Sequence, residues 1–429
     1  MELIKLSIDL GVKVLDILKT KGYQPRTNSN GIYSLEFSQQ ELSEITTLEL
    51  FNIKPNSLEG IDNFHNLQSL KIDSDYSAYD NANTGISDKD IKYVANVTSL
   101  KSLTIKNQAA ITWVYLDKLT NLEEIHIERN NRLDTISGLD KLYHVRELSI
   151  YGNKELYMID HIKELILNNE LNSLELDLLN FPEVSDQALR GKLFNIINYR
   201  FNETLSHKGT VSYNYGTASI FHQRCLEICD AIIGKVKSPM EAIILIERYL
   251  AQNINYDYKA LDREDRFHTE AGNKIGFNNG TQSAYNGIMY GSCVCEGYTR
   301  AMQYLLKIIG LPSKNVYCIG GKDKISIKTD YHNQVVLPDD GYHSIIRVDC
   351  NDGIYYCDPC WDSCRWHRGN ETLPYCLKNK GEITTDHTLS FEEDNIVDNP
   401  VFHIPRAVIQ EVLLKYNSSP EKADNGFHK

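Results

Sequence analysis

The residue of this chain best suited to act as a nucleophile is a cysteine in its C-terminal half. Cys295 lies in SAYNGIMYGSCVCEGYTRAMQYLLKIIGLP, where apolar residues recur at helical spacing from Tyr298 until Gly310 ends the pattern. Cys295 therefore falls in the first turn of a helix, whose partial positive charge favours the thiolate, the attacking form of cysteine. Gly291 and Gly297 flank it, and we expect them to admit a substrate backbone, with nearby amides to hold an oxyanion.

A histidine and an aspartate further along are placed to support such a thiol. The segment HSIIRVDCNDGIYYCDPCWD has two alternating runs separated by NDG, a pattern typical of a β-hairpin. His343 begins the first run and Asp358 ends the second. With a four-residue loop the two side chains share a face as diagonal neighbours, about 7 Å apart at the backbone. The sequence therefore predicts a carboxylate that orients an imidazole.

Four segments together resemble the transglutaminase-like superfamily, which is related to papain. AIILIERYLAQNINYDY is similar to the entry helix of that family, and GSCVCEGYT, HSIIRV and YYCDPCWD resemble its three motifs, within residues 236–366. The resemblance implies an α+β domain with Cys295 as nucleophile, His343 as general base and acid, and Asp358 as orienting carboxylate. The implied chemistry is attack on a carboxamide or peptide carbonyl to give a thioester, then transfer to an amine or to water.

The chain departs from the family pattern at three points. Ser344 and Ile345 follow the motif histidine where the family often has a small residue and tryptophan, and Cys360 replaces the usual threonine after proline. The acidic calcium loop of the animal enzymes is not visible. We therefore expect neither calcium activation nor any other cofactor.

Two residues compete for the roles of nucleophile and base. Cys293 precedes Cys295 by two positions, but only Cys295 has the motif spacing to Gly297. His332, in DYHNQVVL, is the rival base. It lies much further from Asp358 in the sequence, so the hairpin geometry does not reach it.

Four cysteines near the hairpin raise the question of a metal. Cys350, Cys357, Cys360 and Cys364 include one CxxC. A structural zinc needs four converging ligands, and the second CxxC pair is missing. We therefore expect no metal at these cysteines. Pro359 is expected to set the turn geometry, and Trp361 is expected to be an aromatic residue of the core or of a pocket.

The N-terminal half carries a repeat. Within residues 42–177 the pattern returns as ITTLEL, LQSLKI, LKSLTI, LEEIHI, VRELSI and LNSLEL, mostly at steps of 22 to 26 residues. Such spacing predicts short strands with alternating inward aliphatic residues, stacked over a shared core. The fourth positions are Leu48, Leu70, Leu103, Ile125, Leu148 and Leu174.

These repeats resemble the short bacterial leucine-rich repeats of the internalin type. Asn130, Asn131 and Asn153 stand where such repeats place a turn residue. We expect a concave face that binds a protein partner, because solenoids usually act through such surfaces. The residues expected to line this face are Thr104, His126, Glu128, Ser149 and Tyr151.

The predicted architecture is an α/β leucine-rich-repeat solenoid followed by an α+β transglutaminase-like (papain-like) domain. Its parts are an amphipathic N-terminal helical cap (1–41), the repeats (42–181), the transglutaminase-like domain (182–416) and a flexible tail (417–429). The boundary is set near Pro182, where the repeat pattern stops and a helical pattern follows.

Bulk composition narrows the function classes. A net charge of −13 at pH 7 argues against binding nucleic acid, since a phosphate backbone would be repelled. No window holds the roughly 18 apolar residues of a membrane span, so we expect no membrane partner. Ten cysteines without the spacing of a small secreted scaffold fit a reducing cytosol, although an exported effector without a cleaved signal would look the same.

Three functions are compatible with these residues. The first is a transglutaminase-like protease, deamidase or crosslinker acting on a protein or peptide substrate held by the repeats. The second is deglycosylation, because YCDPCWDSC resembles part of peptide N-glycanase. The third is an inactive peptide-binding scaffold, which the presence of all three catalytic residue types disfavours.

Overall fold

The computed structural model describes residues 3–27, 33–75, 85–153, 155–156, 158–180, 187–193, 195–204, 210–258, 279–320, 328–329, 335–336, 342–389 and 404–416. The described chain is a mixed α/β structure that divides into two compact units. Unit 1 runs to Thr204 and includes residues 212–219, and unit 2 comprises residues 205–211 and the chain from Ile220 onward. The predicted tail at 417–429 and Pro182 lie outside the described residues.

Unit 1 is built mainly from short strands joined by turns and short helices. Its helices are α1 (Ile8–Thr20), α2 (Gln39–Ser43), α3 (Asp88–Val94), α4 (Ile162–Asn168) and α5 (Gln187–Leu193). Its strands are β1 (Ile4–Lys5), β2 (Glu36–Phe37), β3 (Thr47–Phe51), β4 (Ser69–Asp73), β5 (Ser102–Lys106), β6 (Trp113–Tyr115), β7 (Glu124–Glu128), β8 (Thr135–Ser137), β9 (Glu147–Tyr151), β10 (Met158–Ile159), β11 (Ser173–Asp177), β12 (Asn198–Thr204) and β13 (Thr210–Tyr213, which crosses the division). The amphipathic helix expected at the N-terminus is α1, which buries one apolar face.

The repeat strands form one eight-stranded sheet in the order β13-β12-β11-β9-β7-β5-β4-β3. From β3 to β12 the neighbouring strands pair in parallel, and the fourth positions of successive repeats lie opposite one another. Those six side chains are at most 1 % exposed, because alternate residues of each strand point into the same core. The repeats therefore share one continuous hydrophobic core.

A ladder of buried asparagines satisfies the backbone at the turns after these strands. The Oδ1 atom of Asn130 accepts a hydrogen bond from the backbone N–H of Gln108 at 3.0 Å, and Oδ1 of Asn153 accepts one from the backbone N–H of Asn130 at 2.9 Å. Their Nδ2 groups donate back to the carbonyls of Ile105 and Ile127. A side chain that both donates and accepts is needed here, because buried turn backbone lacks ladder partners.

The repeat sheet continues beyond the boundary that the sequence indicates. Strand β12 pairs in parallel with β11, with Tyr199 opposite Leu174, 25 positions earlier. Phe201 on the same strand is fully buried. Aromatic residues thus take the aliphatic positions of a further repeat, so the division between the units falls at Thr204 rather than near residue 182.

Unit 2 combines helices with a small antiparallel sheet. Its helices are α6 (Tyr215–Ile233, which crosses the division), α7 (Pro239–Asn253), α8 (Cys295–Ile308), α9 (Pro359–Trp366), α10 (Lys380–Ile383) and α11 (Arg406–Tyr416). Its strands are β14 (Asn255–Tyr256), β15 (Ser292–Cys293), β16 (Ser313–Gly320), β17 (Lys328–Thr329), β18 (Val335–Val336), β19 (Tyr342–Cys350), β20 (Gly353–Cys357) and β21 (His387–Leu389). The main sheet has the order β20-β19-β16-β21, and α8 packs on β16 and β19.

Candidate active site

Cys295 is the first residue of helix α8. The residue before it, Val294, has extended backbone and is the N-cap. The thiol is partly exposed, whereas the neighbouring Cys293 is fully buried. A thiol at the helix N-terminus lies where the helix dipole favours an anion, and only Cys295 of the two is reachable by a substrate.

The hairpin of β19 and β20 brings His343 and Asp358 together. Ile346 lies opposite Cys357 in this hairpin, which makes His343 and Asp358 diagonal neighbours, as the sequence predicts. The His343 Nε2 atom lies 2.8 Å from Asp358 Oδ2. The His343 side chain is 9 % exposed and that of Asp358 fully buried, so water does not compete for this bond.

Asp358 is also the N-cap of helix α9. Its Oδ1 atom accepts a hydrogen bond from the Trp361 amide at 3.0 Å, a capping bond that satisfies one of the free amides of the first turn. Pro359 follows as the first helical residue, where its missing N–H costs nothing. One carboxylate oxygen therefore fixes a helix, and the other faces the histidine.

The electrostatics of the site favour a charged His343 imidazolium next to the ionised Asp358 carboxylate. Burial alone would lower the pKa of His343, but the charge of Asp358 and hydrogen bonds to Asp358 and Cys295 raise it to about 10. Burial would raise the pKa of Asp358, but His343 and a second histidine, His387, hold it well below its usual range. With Nε2 engaged by Asp358, Nδ1 is the ring nitrogen left for Cys295. The structure thus places the predicted thiol, imidazole and carboxylate in one connected group.

His387 is a member of this group that sequence reasoning missed. Its Nε2 atom lies 3.1 Å from Asp358 Oδ2, and its Nδ1 atom lies 2.8 Å from Asp386 Oδ1. The ring is buried and packs 4.4 Å from Trp361, centroid to centroid. Its position opposite Gly320 in the sheet brings it to the site, and the segment TTDHTL carries no recognisable motif.

A cleft of about 680 Å³ opens beside His343. Tyr256 and Tyr258 line it together with Trp361, which stacks on the His343 ring at 5.3 Å. Arg365 and Arg368 add positive charge to the same wall. Aromatic faces and cations in one cleft suit a peptide-like ligand better than a purely apolar one.

The two glycines near Cys295 have a different role from the one expected. A side chain at Gly297 would place its Cβ 2.5 Å from the Cβ of Cys293 and 2.9 Å from the Thr281 carbonyl. Gly291 has φ +65°, and a Cβ there would meet the Asn253 carbonyl at 2.9 Å. These glycines are required by close internal packing and a left-handed turn, which corrects the expectation of substrate approach.

The four cysteines near the hairpin do not gather at one point among the described residues. Among the described residues, no three of Cys350, Cys357, Cys360 and Cys364 lie close enough together to bind a metal. A hydrogen bond with Cys360 lowers the pKa of the half-buried Cys364 to about 6. His332 lies outside the described residues.

In unit 1, the residues expected on a binding face lie on neighbouring strands. Glu128 is buried, with Lys106 Nζ at 2.8 Å and His126 Nδ1 at 3.4 Å from its carboxylate oxygens. Burial would raise the pKa of Glu128, but the bonds to His126 and Lys106 lower it to about 2. Ser149 is likewise buried, so Thr104, His126 and Tyr151 are the members of the predicted set that remain partly exposed. Within the described residues, no helix is both long and apolar enough to cross a lipid bilayer.

Comparisons with known proteins give distant structural similarity only. The chain is similar to a protein from Cytophaga hutchinsonii described as a putative cysteine protease, with 12 % identity, a TM-score of 0.22, and coverage of 43 % of this chain and 55 % of that one. It is also similar to internalin C2 of Listeria monocytogenes, with 24 % identity, a TM-score of 0.26, and coverage of 45 % and 92 %. For internalin F of the same organism the identity is 15 %, the TM-score 0.25, and the coverage 46 % and 69 %.

The chain spans about half the length of the Cytophaga protein. No protein-family model and no curated protein matches the sequence. At these TM-scores the similarities carry no weight for function, which must be inferred from the chain's own residues.

Proposed function

We propose that unit 2 is a transglutaminase-like domain that transfers acyl groups from protein carboxamide or peptide bonds, using Cys295, His343 and Asp358. The observation that carries this proposal is the His343 ring, which is hydrogen-bonded to the buried Asp358 carboxylate at 2.8 Å and whose pKa is raised by that carboxylate and by the neighbouring Cys295 thiol. This is the arrangement that generates a nucleophilic thiolate from an ordinary cysteine.

The reaction follows from the positions of these groups. The Cys295 sulfur, having given its proton to His343, attacks the carbonyl carbon, and the resulting oxyanion collapses to a thioester. The leaving amine or ammonia takes the proton from the imidazolium. His343 then removes a proton from water or from a second amine, which attacks the thioester and releases the thiolate. Asp358 keeps the ring aligned throughout and stabilises its charged form.

For unit 1 we propose leucine-rich repeats of the internalin type that bind a protein partner. The repeated register of parallel strands and the asparagine ladder support this reading. Partly exposed side chains on adjacent strands, including Thr104, His126 and Tyr151, are the candidate contacts. The repeats would then select the protein partner, and unit 2 would carry out the reaction on it.

The proposal is tested by comparing wild type with Cys295→Ala in a cell lysate supplied with a labelled primary amine. Mass spectrometry then separates cleaved, deamidated and amine-modified proteins, and each product should require Cys295. Cys350→Ala, at a partly exposed cysteine of β19, is the matched control and should retain activity. Release of glycan from a denatured glycopeptide would instead indicate deglycosylation. Products that persist in Cys295→Ala would contradict acyl transfer by this thiol.

A further inference from the structure

A second group of chemically reactive side chains is buried beneath the candidate active site. Glu247 lies within helix α7, Cys357 ends strand β20, and Cys376 lies in the segment before α10. Their ligand atoms all lie within 4.8 Å of one another. The three residues are at most 1 % exposed. Elements distant in sequence therefore bring two thiols and a carboxylate to one enclosed point.

The Glu247 carboxylate lacks the partners that a buried charge requires. Neither oxygen accepts a hydrogen bond from the N–H and hydroxyl groups of the described residues. The groups that act on it most strongly are Cys357, Cys376 and Asp362, and none of them carries a positive charge. An isolated buried carboxylate costs several kcal/mol, so this one must either hold a proton or face a cation.

One backbone amide supports a sulfur of this group. The Leu377 amide donates a hydrogen bond to the Cys357 sulfur at 3.2 Å, and the Tyr375 amide donates one to Asp362 at 3.1 Å. These two amides flank Cys376, and Leu377 has the left-handed φ of +52°, a conformation that costs a non-glycine residue free energy. Asp362, also fully buried, lies beside Glu247, and burial together with the Glu247 carboxyl raises its pKa well above the usual range. Amide donors of this kind stabilise a thiolate more than a thiol.

We propose that Glu247, Cys357 and Cys376 bind a divalent cation of the zinc class. Two thiolates and one carboxylate form a soft, mixed donor set that suits zinc and not calcium or magnesium, which prefer oxygen ligands alone. Tetrahedral zinc holds its ligand atoms roughly 3.5 to 4 Å apart, so little movement of the side chains is needed. These three residues leave the fourth position of the tetrahedron to a non-protein ligand such as water. The ion would join α7, the end of β20 and the 376 segment next to Asp358.

The test uses the full chain, purified without chelators and without a histidine tag from cells grown with added zinc. Elemental analysis should find about one zinc per chain. Both Cys376→Ser and the nearly isosteric Glu247→Gln should lower that content to background, whereas the control Cys350→Ser should not. Chelation should lower the thermal midpoint of wild type, and added zinc should restore it, because a ligand that binds only the folded state stabilises it.

Cobalt(II) added to the chelated wild type provides a second measurement that does not require the variants to fold. Cobalt–thiolate bonds should appear as an ultraviolet charge-transfer band that zinc displaces. Folded wild type that contains no metal and gives no such band would overturn the proposal. So would a disulfide between Cys357 and Cys376 in the purified protein. Neither result would bear on the role of Cys295, which the amine-labelling experiment tests separately.

Discussion

Replacing His387 by phenylalanine should slow the chemistry of Cys295 without disturbing the packing of the site. Phenylalanine keeps a ring in the space beside Trp361, where the His387 ring lies 4.4 Å away. It removes the hydrogen bond from Nε2 to Asp358 Oδ2 at 3.1 Å and the contact of Nδ1 with Asp386 at 2.8 Å. The change therefore alters the polar support of the carboxylate while leaving the shape nearly unchanged.

The size of the effect follows from the partners that Asp358 retains. A hydrogen bond to a charged group contributes about 1.5 to 3 kcal/mol. Asp358 would still face His343 at 2.8 Å and the Trp361 amide at 3.0 Å, so we expect the lower end of this range. About 1.4 kcal/mol corresponds to a tenfold change. Without this bond the carboxylate holds the His343 ring less firmly in line with Cys295, and the rate of attack should therefore fall about tenfold.

Alkylation of Cys295 by iodoacetamide near neutral pH measures this rate without knowledge of the substrate. The rate of modification of the Cys295 peptide, followed by mass spectrometry, should fall about tenfold in His387→Phe and further in His343→Ala. His367→Phe is the matched control, because His367 hydrogen-bonds only to the Ile254 carbonyl among the described contacts. If His387→Phe reacts at the wild-type rate while His343→Ala is slow, the support assigned to His387 is refuted.

Three further predictions concern other parts of the chain. Cys364 should be alkylated readily in wild type, since its bond with Cys360 lowers its pKa to about 6, and Cys364→Ser should remove that signal while leaving the labelling of Cys295 in place. Burial lowers the pKa of His222 from 6.5 to about 4, so as the pH falls the unfolded chain binds a proton at this residue before the folded chain does. The free energy of unfolding in urea should therefore drop by up to about 3 kcal/mol between pH 7 and 4. The drop should be smaller in His222→Gln. Gly138→Ala should lower the thermal midpoint more than Gly22→Ala, because both glycines have φ +86° but only at Gly138 would a Cβ meet backbone, at 2.4 Å; equal losses would contradict the clash.

Local signals in the sequence were sufficient for part of the site. The helical spacing after Cys295 locates the start of α8, and the NDG hairpin fixes the register that makes His343 and Asp358 neighbours. Both features depend on residues close together in the chain, where periodicity and turn chemistry determine the geometry. The catalytic roles of the three residues stay predictions until a reaction is measured.

Contacts between distant segments were beyond such reasoning. His387 reaches Asp358 because β21 pairs with β16, a pairing that no motif announces. Glu247 and Cys376 are likewise brought together only by the packing of separate elements. The last repeat strand was missed for another reason, since Tyr199 and Phe201 occupy positions where the pattern requires aliphatic residues.

The double use of Asp358 limits how the cleft can vary. One oxygen begins the helix that carries Trp361 and Arg365 to the cleft wall, and the other aligns the proposed base. The two carboxylate oxygens of Asp358 thus position both the wall that would hold a substrate and the imidazole that would act on it. Evolution or design can change the side chains on that helix to alter selectivity, but a shift of the helix itself would misalign the imidazole as well.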